Sequence, residues 1–396
     1  LSINHGGKIA PVLNKSIDFI TGNPIKIPMT HTITSLIRRD RKAIIVWLAV
    51  CVLLVAAMVL IGGYTRLSGS GLSITEWKPL HGAVPPLTDG QWQDEFAGYQ
   101  ASPQYQKINK GMTLDEFKTI FWPEFIHRLL GRLIGGVLLL PLIIFALRRS
   151  ISRRLGWRMA GIFVLGGVQG VIGWLMVKSG LVDDPNVSQI RLALHLSLAL
   201  LILALLLWTL LDILTTPSPL EGEGRGGGIA SIDSIAKTPP HPNPPPQGGR
   251  EYCVWFAALC AQILLGALMA GLHAGLIYNT WPDMNGQFLP VHDVFFGESW
   301  YANRALVQFL HRTLAGFVAL GFVFWWYLHR RYVKQAGMGA VCACIAAIIA
   351  VQFTLGVLTL LHQAPLDLAL AHQMTALLLF TASVYMLHRL RHGIRI

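Results

Sequence analysis

Residues 124–147 read EFIHRLLGRLIGGVLLLPLIIFAL, and residues 308–328 read QFLHRTLAGFVALGFVFWWYL. Each is an apolar run long enough to cross a bilayer, which takes roughly 20 mostly apolar residues. Each also carries a His-Arg step near its start, His127–Arg128 in one and His311–Arg312 in the other. An ionisable side chain inside a membrane span is costly and usually lines a site or a pathway. Two such runs with the same motif read as copies of one element, and the chain repeats around them.

Six further runs can span: 43–63, 159–177, 192–214, 253–272, 336–361 and 368–387. The composition agrees, with 53% hydrophobic and only 13% charged residues among 396, against about 25% charged in a soluble domain. In lipid, helices satisfy their own backbone groups, so the expected fold is an all-α integral membrane protein of eight transmembrane helices. Aligning 62–86 with 266–290 pairs Gly62 with Gly266, Gly71 with Gly275, Leu72 with Leu276, Trp77 with Trp281, Gly82 with Gly286 and Pro86 with Pro290. In the third spans VQGVIG (168–173) matches VQFTLG (351–356), and in the fourth His195 corresponds to His372. Four spans per half make the repeats parallel, which predicts two four-helix bundles.

The domain boundaries follow. Residues 1–42 read as a polar cytoplasmic arm without a signal-peptide pattern, 43–215 as the N-terminal half and 251–388 as the C-terminal half. Residues 216–250 are a Pro/Gly-rich cytoplasmic linker, which holds His241. Residues 389–396 are a cytoplasmic tail. Arginines and lysines cluster at 38–42, 148–158, 330–334 and 389–395, all on one side of an eight-span weave, and the positive-inside rule makes that side cytoplasmic. Most acids, including Asp89, Asp94, Asp183, Asp184, Asp293 and Glu298, fall in the opposite loops. The net charge of +12 is a topology signal and gives no reason to invoke nucleic acid, since the basic residues flank spans, so no nucleic-acid partner is expected. The five cysteines lie in or beside spans, so no disulfide is expected.

All four histidines sit near the outer start of spans two, four, six and eight. Within each half, two imidazoles from parallel helices can meet in one bundle interior, the arrangement a haem iron needs above and below its plane. A zinc or copper site would need a third ligand such as His273, His292 or His362. Glu124 lies three residues before His127 and four before Arg128, on one helical face. It is either an acid–base group beside the site or a first-turn acid after Pro123 that pairs with Arg128. The equivalent position is Gln308, so only one half carries an acid. Arg128 and Arg312 could bind haem propionates or snorkel to the interface. Gly131, Gly135 and Gly136 either admit a macrocycle or serve close helix packing. The long outer loop 64–122 is expected to pack in part at the membrane interface through Tyr99, Tyr105 and Trp122.

TRLSGSGLSITEWKPLHGAVPP (65–86), EFIHRLLGRLIGG and the HR and HQ steps of the second half resemble the haem A synthase family, in its alphaproteobacterial and mitochondrial branch. The resemblance runs from about 43 to 388, with the linker as an insertion. It implies oxidation of the C8 methyl of haem O to formyl by successive hydroxylations, making haem A for cytochrome oxidase. It assigns the substrate haem to His127 and His195, a haem b cofactor to His311 and His372, and a water-positioning role to Glu124. A haem O synthase (a farnesyltransferase) and oxidase assembly factors are the partners it implies, in addition to membrane lipid; a homo-oligomer is left open. A bacterial cell membrane is expected, with the mitochondrial inner membrane as the alternative. The cysteine pair of another branch is absent from the outer loops. Two other classes compete. A non-catalytic bis-His di-haem electron carrier yields no haem A, and a parallel-repeat transporter yields no haem absorbance.

Overall fold

The computed structural model describes residues 29–76, 81–182, 185–215, 247–296 and 299–392. Most of the 216–250 linker with His241, the stretch 1–28, Trp77, Asp183, Asp184, Glu298 and Arg395 lie outside the described residues. Among the described residues, eight helices are long and apolar enough to cross a membrane. In the first half these are α1 (Met29–Leu67), α4 (Leu114–Leu147), α5 (Arg153–Ser179) and α6 (Gln189–Thr215). In the second they are α7 (Gln247–Gly271), α9 (Arg304–Leu328), α11 (Gly339–Leu361) and α12 (Leu366–His392). Short helices α2 (Asp89–Gln100), α3 (Pro103–Lys107), α8 (Val291–Phe295) and α10 (Arg330–Gln335) complete the set. Helix α1 begins inside the predicted arm, and α7 begins at Gln247, inside the predicted linker. Apolar pattern marks where a helix meets lipid or core, whereas backbone hydrogen bonding continues into polar residues.

The packing reproduces the duplication. In the first half α1 packs on α4, α4 on α5, α5 on α6 and α6 on α1, closing a ring. In the second, α7, α9, α11 and α12 close the same ring. In each half a tryptophan of the first span donates its indole N–H to a carbonyl of the second, Trp47 to Val137 and Trp255 to Val318, both at 2.8 Å. The halves meet along α1 and α6 on one side and α7 and α12 on the other. Leu377, Phe380 and Val384 of α12 complete the apolar core of the first half. The Gln373 amide donates to Val59 O at 2.7 Å and occupies the space a Cβ on Gly63 would need. Large apolar side chains such as Val46, Leu53, Val164 and Leu320 point outward, the surface a lipid environment covers.

The segment before the second span departs from expectation. Helix α4 starts at Leu114, capped by a reciprocal Thr113–Glu116 capping box, and rises above the bundle. There Phe117, Phe121 and Phe125 pack with Phe96 and Tyr99 into a small aromatic core. Tyr99 is wholly buried in this cap, so it stabilises the loop and does not anchor it at an interface. Glu124 is thus the eleventh residue of its helix, which removes the first-turn reading of this acid.

Candidate functional site

Four glycines seat the four histidines. Gly62 on α1 faces His127, and Gly173 on α5 faces His195. Gly266 on α7 faces His311, and Gly356 on α11 faces His372. A Cβ at these positions would come to 3.1, 2.9, 3.2 and 2.9 Å from the respective ring, so a side chain there would push the imidazole away. Gly62 and Gly266 are repeat equivalents, as are Gly173 and Gly356. In the sequence both pairs stand out as marks of duplication without a role; their recurrence opposite histidines was the available signal.

In each half the two histidines come together. His127 and His195 are close enough to interact electrostatically, and so are His311 and His372. His195, His311 and His372 are the seventh, eighth and seventh residues of α6, α9 and α12, which sets them at one depth. Each ring is half-buried. Glutamines hold the helices around them. Gln169 donates to His195 O at 3.0 Å, its equivalent Gln352 lies 3.2 Å from His372 Nε2, and Gln262 donates to His311 O at 3.0 Å. The Nδ1 atoms of His195 and His372 are buried without a hydrogen-bond partner. Such orphan nitrogens are rare where nothing else binds. Each bundle therefore offers two imidazoles flanked by glycine surface, a donor set suited to a planar metallo-macrocycle.

Above each pair lies an equivalent clamp. In the first half, Arg128 donates to Ile74 O at 2.7 Å and to Glu76 O at 3.1 Å, and to Glu124 Oε1 from Nη2 at 2.5 Å and Nε at 3.1 Å. Glu124 Oε2 accepts from the Ser73 hydroxyl at 2.7 Å and the Ile74 N–H at 2.9 Å. These four bonds fill the roughly four acceptor sites of a carboxylate. Ser73 also lies 3.1 Å from Ile120 O. Its single hydroxyl proton can serve only one acceptor, so turning to Ile120 frees a site on Glu124. In the second half Gln308 donates to Tyr278 O at 3.0 Å and Arg312 donates to Thr280 O. Arg312 Nε and Nη1 stay buried without partners. Arg128 is therefore committed to the cap, while Arg312 keeps donors in hand.

Outside the spans, Tyr278 donates to Asp293. Burial, then that carboxylate, pushes the phenol up to about 12. Burial and the cations of Arg66 and Arg304 hold His273 below the usual imidazole range. His273, His292 and His362 do not join the histidine pairs, and among the described residues the only three-ligand group is Asp212, His388 and His392. A Cβ at Gly135 or Gly136 would meet no atom within 4 Å, so close helix packing does not explain these two glycines. A cavity of about 410 Å³ lies beside the first clamp, walled by Phe121, Phe125, Arg128 and Arg132.

Gly356→Ala tests the seating. Overpacking costs about 1–3 kcal/mol, so retention of any pigment that depends on the His372 ring should fall about five- to a hundredfold. Gly161→Ala, where no atom lies within 4 Å, should change nothing. Equal loss of bound pigment from the two variants would count against the seating role.

Fold and site together define a class: a multi-pass helical membrane protein, internally duplicated, with two interacting, glycine-seated histidines in each half. The family described as cytochrome oxidase assembly protein (COX15-CtaA) matches residues 45–384, and the chain belongs to it. Similar proteins include "Heme A synthase" of Nitrosospira multiformis, 43% identical over 355 residues, covering 89% of this chain and 94% of that protein. "Heme A synthase" of Maricaulis maris is 44% identical over 347 residues, covering 87% and 94%. That of Agrobacterium fabrum is 44% identical over 355 residues, covering 87% and 90%.

Proposed function

We propose that this chain is a haem A synthase, a membrane oxidoreductase that converts the C8 methyl of haem O to the formyl group of haem A. The reading rests on two electrostatically interacting histidines in each half, each seated against a glycine, within a chain 43–44% identical to relatives bearing that name. His127 and His195 hold the substrate haem. His311 and His372 hold haem b, which supplies one-electron transfer when bound. The residues fit that group: Gly266 and Gly356 leave the rings their space, and the uncommitted Nε and Nη1 of Arg312 suit a propionate. Arg128 is not assigned a propionate in this reading, because Glu124 and the loop carbonyls occupy it.

Water is the proposed oxygen source. Each hydroxylation of the methyl then takes up one water and releases two protons and two electrons. The electrons leave singly, by way of the group held by His311 and His372, to an external one-electron acceptor in the membrane. The diol formed after the second hydroxylation loses water to leave the formyl group. Glu124 is the group that takes a proton, at Oε2, once the Ser73 hydroxyl turns to Ile120 O. The substrate comes from a farnesylating haem O synthase, and the product passes to oxidase assembly. The protein acts in a bacterial cell membrane, with 43–215 as the substrate half, 251–388 as the cofactor half and both termini cytoplasmic. The mitochondrial inner membrane has the same topology.

A di-haem electron carrier is the second reading, favoured by the saturation of Glu124. Expression with a source of haem O, followed by haem extraction and mass analysis, separates the two. Haem A appears only if the chain is the enzyme; unconverted haem O alone would overturn the proposal.

A further inference from the structure

At the end of the bundle remote from the haem-type histidines, the two halves are joined by a polar cluster that the proposed chemistry does not use. Asp212 stands in the last turn of α6, and His388 and His392 stand in the last turns of α12. The Asp212 Oδ1 lies 3.1 Å from His388 Nε2 and 3.5 Å from His392 Nε2. All three ligand atoms lie within 4.8 Å of one another. With metal–ligand bonds of about 2.0–2.1 Å, the edge of a tetrahedral zinc site is about 3.3 Å. The two Asp–His distances bracket that edge.

We propose that Asp212, His388 and His392 form a binding site for a borderline divalent transition metal such as Zn²⁺, which staples the N-terminal half to the C-terminal half. Histidines four residues apart share one helical face, and HRLRH (388–392) presents both imidazoles to one point. The third ligand comes from the other half, so the ion bridges α6 and α12. The carboxylate has an outer partner in Arg158, whose Nη1 holds Oδ2 at 2.7 Å, as supporting residues do at metal sites. Trp208 packs against both rings, at 5.0 and 6.0 Å between centroids, limiting their rotation. Two helix C-termini converge here, and their dipoles favour a cation. His388 is buried while His392 is 46% and Asp212 26% accessible, so an ion can enter without unfolding the bundle. Two nitrogens and one carboxylate oxygen favour zinc or copper over magnesium.

The test uses the full chain, purified in detergent through a tag that contains no histidine. It is dialysed against Zn²⁺ with excess Mg²⁺, and zinc per protein is measured by atomic emission. Wild type should retain one more equivalent than His392→Ala, with apparent affinity falling at least roughly tenfold in the variant. The wild-type melting midpoint should rise with Zn²⁺ and that of the variant should not. His392→Gln, which keeps a polar side chain, should behave as the alanine variant and guards against misfolding. Equal zinc content in wild type and both variants would show that the cluster is only a His–Asp ion pair and would overturn the proposal.

Discussion

His372→Ala should strip the C-terminal bundle of the haem proposed for it, lowering the haem content of purified protein by about half if each bundle holds one bis-imidazole haem. The ring lies against Gly356 and interacts electrostatically with His311. His372→Met keeps a ligand at the same place. Methionine opposite histidine raises the reduction potential of a haem, so this variant should retain pigment with a higher midpoint. Haem quantified as its pyridine adduct, with a redox titration of the methionine variant, reads both outcomes. Unchanged haem content in His372→Ala would remove the axial role. His195→Ala makes the matching case for the first half: substrate haem should be lost while the C-terminal haem stays.

The second large effect is at Glu124. Its side chain is 3% accessible and pairs with Arg128, which is 15% accessible. Removing one partner of a buried pair costs about 3–5 kcal/mol, so Glu124→Ala should loosen the cap as well as delete the acid. Glu124→Gln separates the two roles, because Gln308 already serves in the equivalent clamp of the second half. The amide should keep the cap in place and preserve haem binding while haem A formation stops. The double variant Glu124→Gln, Arg128→Met removes both charges together and should likewise fold without producing haem A. Haem A at the wild-type rate from either variant would exclude a proton-accepting role and leave Glu124 as a loop clamp.

Much of this was legible in the residues. Apolar length set the eight spans. The recurrence of His127, His195, His311 and His372 at matching places pointed to both the duplication and the facing pairs. What escaped was whatever depends on contacts between helices. Glycines opposite histidines carry no chemistry of their own, and Gly62, Gly173, Gly266 and Gly356 gain meaning only when the neighbouring ring is in place. Tyr99 and Trp122 looked alike as aromatic residues near a membrane, yet Tyr99 is buried in the cap and Trp122 is 40% exposed. Helix α4 begins well before its apolar run because the capping box and the aromatic cap continue it. Asp212 and His388 are 176 positions apart, and HRLRH on its own is an ordinary basic helix end.

The linear chain therefore determined the architecture and the kind of chemistry, since transfer to lipid acts on each segment by itself and repetition is visible residue by residue. Tertiary structure decided the commitments of individual polar groups: Arg128 to Glu124 and the loop, Arg312 to spare donors, Asp212 to the histidines of the other half. Hydrogen bonds and ion pairs reach only a few ångströms, so which partner a buried polar atom meets is settled by packing.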